Sequence, residues 1–342
     1  MRVLVTGGAG FLGSHLVDAL VAVGDEVVAL DNLYRGSLAN IDTHLSTRAA
    51  KFIEADIRDY PAVLEAAAGT EVVYHLAAQS NVIGAVTDID YSFTTNVCGT
   101  YNVLKAAAAT NVRRLVFSSS REVYGEPELI PVSEDAPLTA KNPYGASKVA
   151  GEAYCEVWGS AAGLECQILR FANVYGPRDR DRVIPIWIER ARRGEPLELY
   201  GGDQIIDFVW VGKAVEALLA AANSEQAGPI NVGSGIGVTL PQLAHRVLQE
   251  TGSPSRLEVL PARTGEVVRF VADVGRMHRL LGVIPDPDPL AHLGACLGEH
   301  MVQLASSRCN LGAGYDRTGR PSPPAWPGPI SSPAPENYTN RP

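Results

Sequence analysis

A glycine-spaced turn close to the N-terminus constrains this chain more than any other feature. Val3-Leu4-Val5-Thr6 reads as a short buried strand and runs into Gly7-Gly8-Ala9-Gly10-Phe11-Leu12-Gly13. An amphipathic helix is expected over Phe11–Val23. Gly7, Gly10 and Gly13 meet three separate needs: a tight turn, a close approach of backbone to a pyrophosphate, and tight packing of helix on strand. The helix N-terminus adds free N–H groups and a positive dipole end. Glycine spacing alone is a weak signal, but an acid closes the second strand, Glu26–Asp31. Asp31 lies 18 residues beyond Gly13, where a carboxylate accepts hydrogen bonds from an adenosine ribose. It would repel a 2′-phosphate, so NAD is the expected cofactor. Asp31 beside Asn32 also suits a plain turn. Asp56-Ile57, after the third strand, either frames an adenine or is ordinary loop.

Strand and helix patterns alternate through the first half. Further strands are expected at Lys51–Glu54, Glu71–Leu76, Arg114–Ser118 and Glu165–Arg170. Helices are expected at Tyr60–Ala68, Thr95–Ala109 and Tyr144–Gly159. The strands are continuous apolar runs, the pattern of a sheet covered on both faces. The expected class is therefore α/β, a Rossmann-type doubly wound parallel sheet with a smaller C-terminal substrate-binding lobe. In that lobe helices are expected at Val183–Arg193, Gly212–Asn223 and Leu240–Glu250, with short strands at Pro196–Tyr200, Phe208–Val211 and Pro229–Val232. The expected division is 1–172 for the dinucleotide domain, with a segment returning to it at about 205–235. Residues 173–204 and 236–304 would form the substrate lobe. Residues 305–342 carry eight prolines from Pro321 onward and are expected to form a disordered tail.

Charge and cysteine usage narrow the function classes. There are 38 acidic against 29 basic residues, a net charge of −9, which argues against a nucleic-acid partner. The cysteines, Cys98, Cys155, Cys166, Cys296 and Cys309, form no CxxC pair, so reduced thiols are expected and no metal site. Arg2 and Val3 lead directly into the first strand, so no signal peptide is expected. No apolar run approaches the ~20 residues needed to cross a bilayer. A cytoplasmic protein without a membrane partner is the expectation.

Three residues outside the glycine turn carry chemistry. Ser120 follows the fifth strand within Ser118-Ser119-Ser120-Arg121-Glu122-Val123-Tyr124-Gly125. Tyr144 and Lys148 lie four apart in Asn142-Pro143-Tyr144-Gly145-Ala146-Ser147-Lys148, on one helix face. An ammonium near a phenol favours the phenolate and lowers its pKa from about 10. Such a tyrosine can remove a hydroxyl proton while hydride leaves to the cofactor. Ser120 would hydrogen-bond the same oxygen. Tyrosine and lysine four apart are common on helices; the glycine turn and the serine cluster make this pair informative.

Together these motifs resemble the extended short-chain dehydrogenase/reductase family, in its nucleotide-sugar epimerase/dehydratase branch. The resemblance runs from Met1 to about Met301. It also rests on His75-Leu76-Ala77-Ala78 and Arg170-Phe171-Ala172-Asn173-Val174-Tyr175-Gly176-Pro177. UDP-glucose 4-epimerases are nearest in pattern. The resemblance implies an NAD-dependent 4-epimerase acting on a nucleotide sugar, most simply a UDP-hexose, and a homodimer packed through Thr95–Ala109 and Tyr144–Gly159. It implies cofactor contacts from Gly7, Gly10, Phe11, Leu12, Gly13, Asp31, Asn32, Asp56, Ile57, Leu76, Ala77, Ala78, Asn96, Ser118, Tyr144, Lys148 and Phe171. Substrate contacts would come from Gln79, Ser120, Arg121, Glu122, Asn173, Arg178 and Arg269. His75 is expected to support the site rather than to act as acid or base.

The chain departs from these relatives at telling places. Many carry an arginine where Ile206 stands, before Asp207-Phe208, so one expected diphosphate contact is missing. Lys213 could restore some charge. Dehydratases of the branch place Asp-Glu where this chain has Arg121-Glu122. Arginine cannot donate a proton at neutral pH, which disfavours a standard 4,6-dehydratase. Glu122 remains a hydrogen-bond partner for the sugar or a base in dehydration or 5-epimerisation. Arg121 could receive a hexuronate carboxylate, as a UDP-glucuronate 4-epimerase would need, or simply pair with Glu122. The competing reading is a non-catalytic NAD-binding sensor; such proteins commonly lose the tyrosine or the lysine, and this chain keeps both.

Overall fold

The computed structural model describes residues 1–224, 228–262 and 267–298. The expected proline-rich tail lies outside them. Its large sheet is built from β1 (Arg2–Thr6), β2 (Glu26–Asp31), β3 (Ala50–Glu54), β4 (Val72–His75), β5 (Arg114–Ser120) and β6 (Glu165–Phe171), with β10 (Gly228–Val232) at one edge. All seven run parallel, in the order β10-β6-β5-β4-β1-β2-β3. Chain direction across the sheet reverses between β1 and β4. That is where a crevice opens at the carboxyl ends of strands in this architecture.

Alternation of side chains along the strands supplies two apolar faces. Leu4, Val28, Val73, Leu115 and Ile168 face one core, with α3 (Tyr60–Ala67), α6 (Thr100–Ala109) and α7 (Pro143–Ala162). Val3, Val5, Val27, Ala29, Val116 and Leu169 face the other, with α1 (Phe11–Ala22) and α9 (Val211–Ala221). The short helices α2 (Asp42–Ser46), α4 (Val82–Thr87) and α5 (Ile89–Phe93) fill connections. The helix expected from Thr95 begins instead as a π-helical turn, Thr94–Gly99, that merges into α6. A Cβ at Gly99 would come within 2.6 Å of Ile57 Cδ1, so the glycine lets this turn press on the β3 loop.

A third core, centred on Trp187, Leu199, Phe208 and Leu243, holds the smaller lobe together. It takes in α8 (Val183–Arg192) and α10 (Leu240–Thr251). Strands β7 (Asn173–Tyr175), β11 (Gly237–Thr239) and β13 (Arg269–Phe270) each pair with β9 (Ile205–Trp210); β8 (Leu197–Tyr200) pairs with β12 (Leu257–Leu260). The helix α11 (Gly275–Leu281) packs against β10, and beyond it Leu290, Leu293 and Cys296 join the third core. The expected returning segment therefore starts later than residue 205: β9 belongs to the small sheet, while α9 and β10 return to the large one. The reason is register, because Asn173–Tyr175 and Gly237–Thr239 offer β9 its partners. The α10 start follows its sequence signals, with Thr239 and Gln242 forming a reciprocal capping box and Pro in the first turn.

Candidate active site

Gly7 has φ +72°, and a Cβ there would sit 2.8 Å from the Ala77 amide nitrogen. At Gly13 a Cβ would come 2.0 Å from the Gly7 carbonyl oxygen. Both positions therefore exclude a side chain, and β1, its neighbour β4 and α1 meet with only backbone between them. Gly10 caps α1 without any side-chain bond, which leaves the first N–H groups of the helix facing the crevice. The crevice has a volume of about 1030 Å³. Its walls include Gly7, Gly10, Phe11, Leu12, Gly13, Asp31, Asn32, Ile57, Leu76, Ala77, Ala78, Ser118 and Phe171 from the dinucleotide side.

Asp31 does two jobs. It accepts from the Ala9 amide at 3.1 Å and the Leu33 amide at 2.8 Å, bracing the glycine turn. It also lines the crevice, and burial pushes its carboxyl up. These residues fit an adenine dinucleotide: a side-chain-free cradle, an open helix N-terminus and, at the end of β2, a carboxylate on the same crevice wall. Asp56 differs from expectation. It binds Arg58 and Asn32 at 2.8 Å each and is absent from the crevice wall, whereas Ile57 lines it. Asn96 is also off the wall. It clamps the Gln79 backbone, accepting from its amide at 2.7 Å and donating to its carbonyl at 3.0 Å, and donates to Ser147 Oγ at 3.0 Å. Gln79 is buried beside α4 and is likewise off the wall. His75 is fully enclosed between Thr6 Oγ1 at 2.8 Å and Thr100 Oγ1 at 2.9 Å. Burial pushes it down to about 3, so it is neutral and cannot shuttle protons near neutrality.

The serine, tyrosine and lysine meet at the carboxyl end of β5. Asn142 caps α7 by accepting from the Gly145 amide at 2.9 Å, and Pro143 occupies the first turn. This start sets Tyr144 on the crevice wall with Ser120, which works against the burial that pushes the phenol up. Lys148 Nζ donates to the Ser118 carbonyl at 2.7 Å and lies 5.8 Å from the Tyr144 ring centre. The expected lowering of the tyrosine by Lys148 is not seen. Burial pushes Tyr144 up, and Arg182, Ser120 and Arg121 oppose it. Burial also pushes Lys148 itself down to about 8.

Glu122 and Arg121 pair with each other at 3.0 Å. Asn142 Nδ2 donates to the second Glu122 oxygen at 2.7 Å, and Arg121 Nε donates to Asn173 Oδ1 at 2.6 Å. All three of Arg121, Glu122 and Asn173 line the crevice. Arg178 also lines it and reaches Asp18 on α1 at 2.7 Å. Arg269 is exposed on β13 and is not on the wall; Lys213 binds Glu216 at 3.0 Å on α9. Ile206 is buried and presents apolar surface to the crevice.

Two features went unseen in the sequence. Asn142 carried no role in the sequence reading, yet it caps α7 and also fixes Glu122. Behind the site, Arg170 binds both Glu152 oxygens, the closest at 2.7 Å, together with Tyr124 Oη at 2.9 Å and the Glu134 carbonyl at 2.8 Å. Ser119 Oγ donates to the same Glu152.

Comparison with known proteins gives the family. Residues 3–233 match the profile of the NAD dependent epimerase/dehydratase family. The UDP-glucose 4-epimerase of Mycolicibacterium smegmatis is 38% identical over 293 residues, covering 83% of this chain and 94% of that protein. The crystal structure of UDP-glucose 4-epimerase with UDP-glucose from Thermotoga maritima superposes with a TM-score of 0.84 at 33% identity, covering 89% of this chain and all of that one. The dTDP-glucose 4,6-dehydratase of Streptomyces venezuelae, with NAD bound, gives 0.85 at 30% identity, covering 90% and 98%. With its glycine turn, its Ser120–Tyr144–Lys148 cluster and these relatives, this chain belongs to the NAD dependent epimerase/dehydratase family.

Proposed function

We propose that this protein is an NAD-dependent UDP-glucose 4-epimerase. The observation that carries the reading is the meeting of Ser120, Tyr144 and Lys148 on one crevice wall, beside a glycine turn that admits a dinucleotide, with Arg121 in place of a proton-donating acid. Bound NAD supplies the hydride acceptor and donor. Tyr144 takes the proton from the 4-hydroxyl and returns it, and Ser120 holds that oxygen. Lys148, fixed by the Ser118 carbonyl, would bind the nicotinamide ribose. Glu122 is engaged on both oxygens, by Arg121 and Asn142, and so is poorly placed to abstract a proton. That favours epimerisation over dehydration. UDP-glucuronate is the second substrate to try, because Arg121 Nη1 is buried without a hydrogen-bond partner. The test is a panel of UDP-glucose, UDP-galactose, UDP-glucuronate and dTDP-glucose with the purified full chain. Equilibration of glucose and galactose forms supports the reading. A 4-keto-6-deoxy product, or no turnover of any nucleotide sugar, would sink it.

We also propose a cytoplasmic homodimer joined through α6 and α7. Tyr101, Tyr154 and Val157 leave 39–60% of their surface exposed on those helices. No helix among the described residues is long and apolar enough to cross a membrane. Sedimentation at micromolar concentration is expected to give the dimer mass, and Val157→Glu the monomer. A wild-type monomer overturns the interface, and recovery of the expressed full chain in a membrane fraction overturns the location.

A further inference from the structure

A nucleoside diphosphate needs fixed cations, and the positions expected to supply them do not reach it. Ile206 is apolar, Arg269 is off the crevice wall, and Lys213 pairs on its own helix. The wall nevertheless contains Arg35, Arg121, Arg178, Arg180, Arg182 and Arg190. Four have acid partners close by: Arg35 with Asp181 at 3.4 Å, Arg121 with Glu122 at 3.0 Å, Arg178 with Asp18 at 2.7 Å, and Arg190 with Glu198 at 2.6 Å. Arg180 is exposed. Arg182 is held differently. Its Nη1 donates to the Val174 carbonyl at 3.2 Å, and its nearest carboxylate, on Asp179, stands off at 3.7 Å.

The place of Arg182 is equally particular. Its guanidinium lies 5.6 Å from the centre of the Phe11 ring, beside the glycine turn. It is also the charge that most opposes the burial of Tyr144. Arg182 and Tyr144 line the same crevice, which a nucleotide sugar with its 4-hydroxyl at Tyr144 would have to share with this guanidinium. The strap that carries it, residues 177–182, is pinned in advance. The Pro177 carbonyl meets His15 Nε2 at 3.0 Å, and Arg178 and Asp181 reach Asp18 and Arg35. Such tethering lowers the ordering cost of binding.

We propose that Arg182 binds the diphosphate of the nucleotide-sugar substrate, taking the place of the arginine that residue 206 lacks. This rests on the nucleotide-sugar reading above. Calorimetry of the NAD-loaded full chain with UDP, and separately with uridine, tests it. Arg182→Gln is expected to weaken UDP binding about 10–100-fold, the loss of one charge-assisted contact, and to leave uridine binding and NAD content unchanged. Arg182→Lys should keep part of the affinity, and Ile206→Arg should restore part of it in the Arg182→Gln background. Equal UDP affinity in wild type and Arg182→Gln overturns the assignment alone. Loss of NAD with UDP affinity intact overturns it too, by giving Arg182 to the cofactor. A wild type that binds no UDP overturns the nucleotide-sugar reading, and this inference with it.

Discussion

Tyr144→Phe is expected to reduce 4-epimerisation by about 10²–10⁴-fold, the usual contribution of one positioned acid–base group. The substitution removes a single hydroxyl and leaves the ring in place. Tyr144 is half-buried and lines the crevice, so the fold has little to lose. NAD content of the purified variant should match that of wild type, which separates a chemical loss from a binding loss. Ser120→Ala should cost less, because it deletes a hydrogen bond to the oxygen and not the proton acceptor. A Tyr144→Phe variant with wild-type turnover would exclude Tyr144 as the base. The electrostatics explain why this tyrosine depends on its surroundings. Burial holds its proton on, and Arg182 and Arg121 are the cations that work against burial. A lysine four residues along the helix is not enough, since Lys148 is spent on the Ser118 carbonyl and is itself pushed down to about 8.

What the sequence made legible is what local rules govern. Continuous apolar strands separated by helices give a parallel sheet, and the glycine turn marks the crevice because only a missing Cβ allows 2.0–2.8 Å approaches. Ser120, Tyr144 and Lys148 were legible because they share one strand end and one helix face. The remainder depends on partners far apart in the chain. Asp56 looked available beside the third strand, but Arg58 and Asn32 take its carboxylate. Asn96 looked like a cofactor contact, but it is spent on the Gln79 backbone. Arg269 looked like a phosphate ligand by its place in a motif, yet its strand leaves it in solvent. Arg182 carried no motif signal, since it is one of three arginines in an alternating charge run, Arg178-Asp179-Arg180-Asp181-Arg182. All three line the crevice, and only folding decides that Arg178 is taken by Asp18 while the nearest carboxylate to Arg182 stands 3.7 Å away.

The pair behind the site gives the largest expected effect on stability. Arg170 and Glu152 are both nearly inaccessible, with side chains 5% and 4% exposed. Removing one partner leaves a buried charge without compensation, which costs about 3–5 kcal/mol. Glu152→Ala is thus expected to lower the melting temperature by on the order of 10 °C. Replacing both, as Glu152→Leu with Arg170→Met, should recover much of that, because apolar groups of similar volume need no pairing. Full recovery is not expected: Tyr124, Ser119 and the Glu134 carbonyl would each lose a partner in that background. Thermal melts of the single and double variants decide the point. A Glu152→Ala melt within about 2 °C of wild type, roughly 1 kcal/mol, would show that the pair does not brace the fold. The same substitution should be felt one turn away. Glu152 is among the charges that keep the Lys148 ammonium from losing its proton, against a burial that already brings it to about 8. Taking that carboxylate away pushes Lys148 lower still. The fraction of charged lysine at a given pH above neutrality then falls, and stability and catalysis are coupled through a single buried acid.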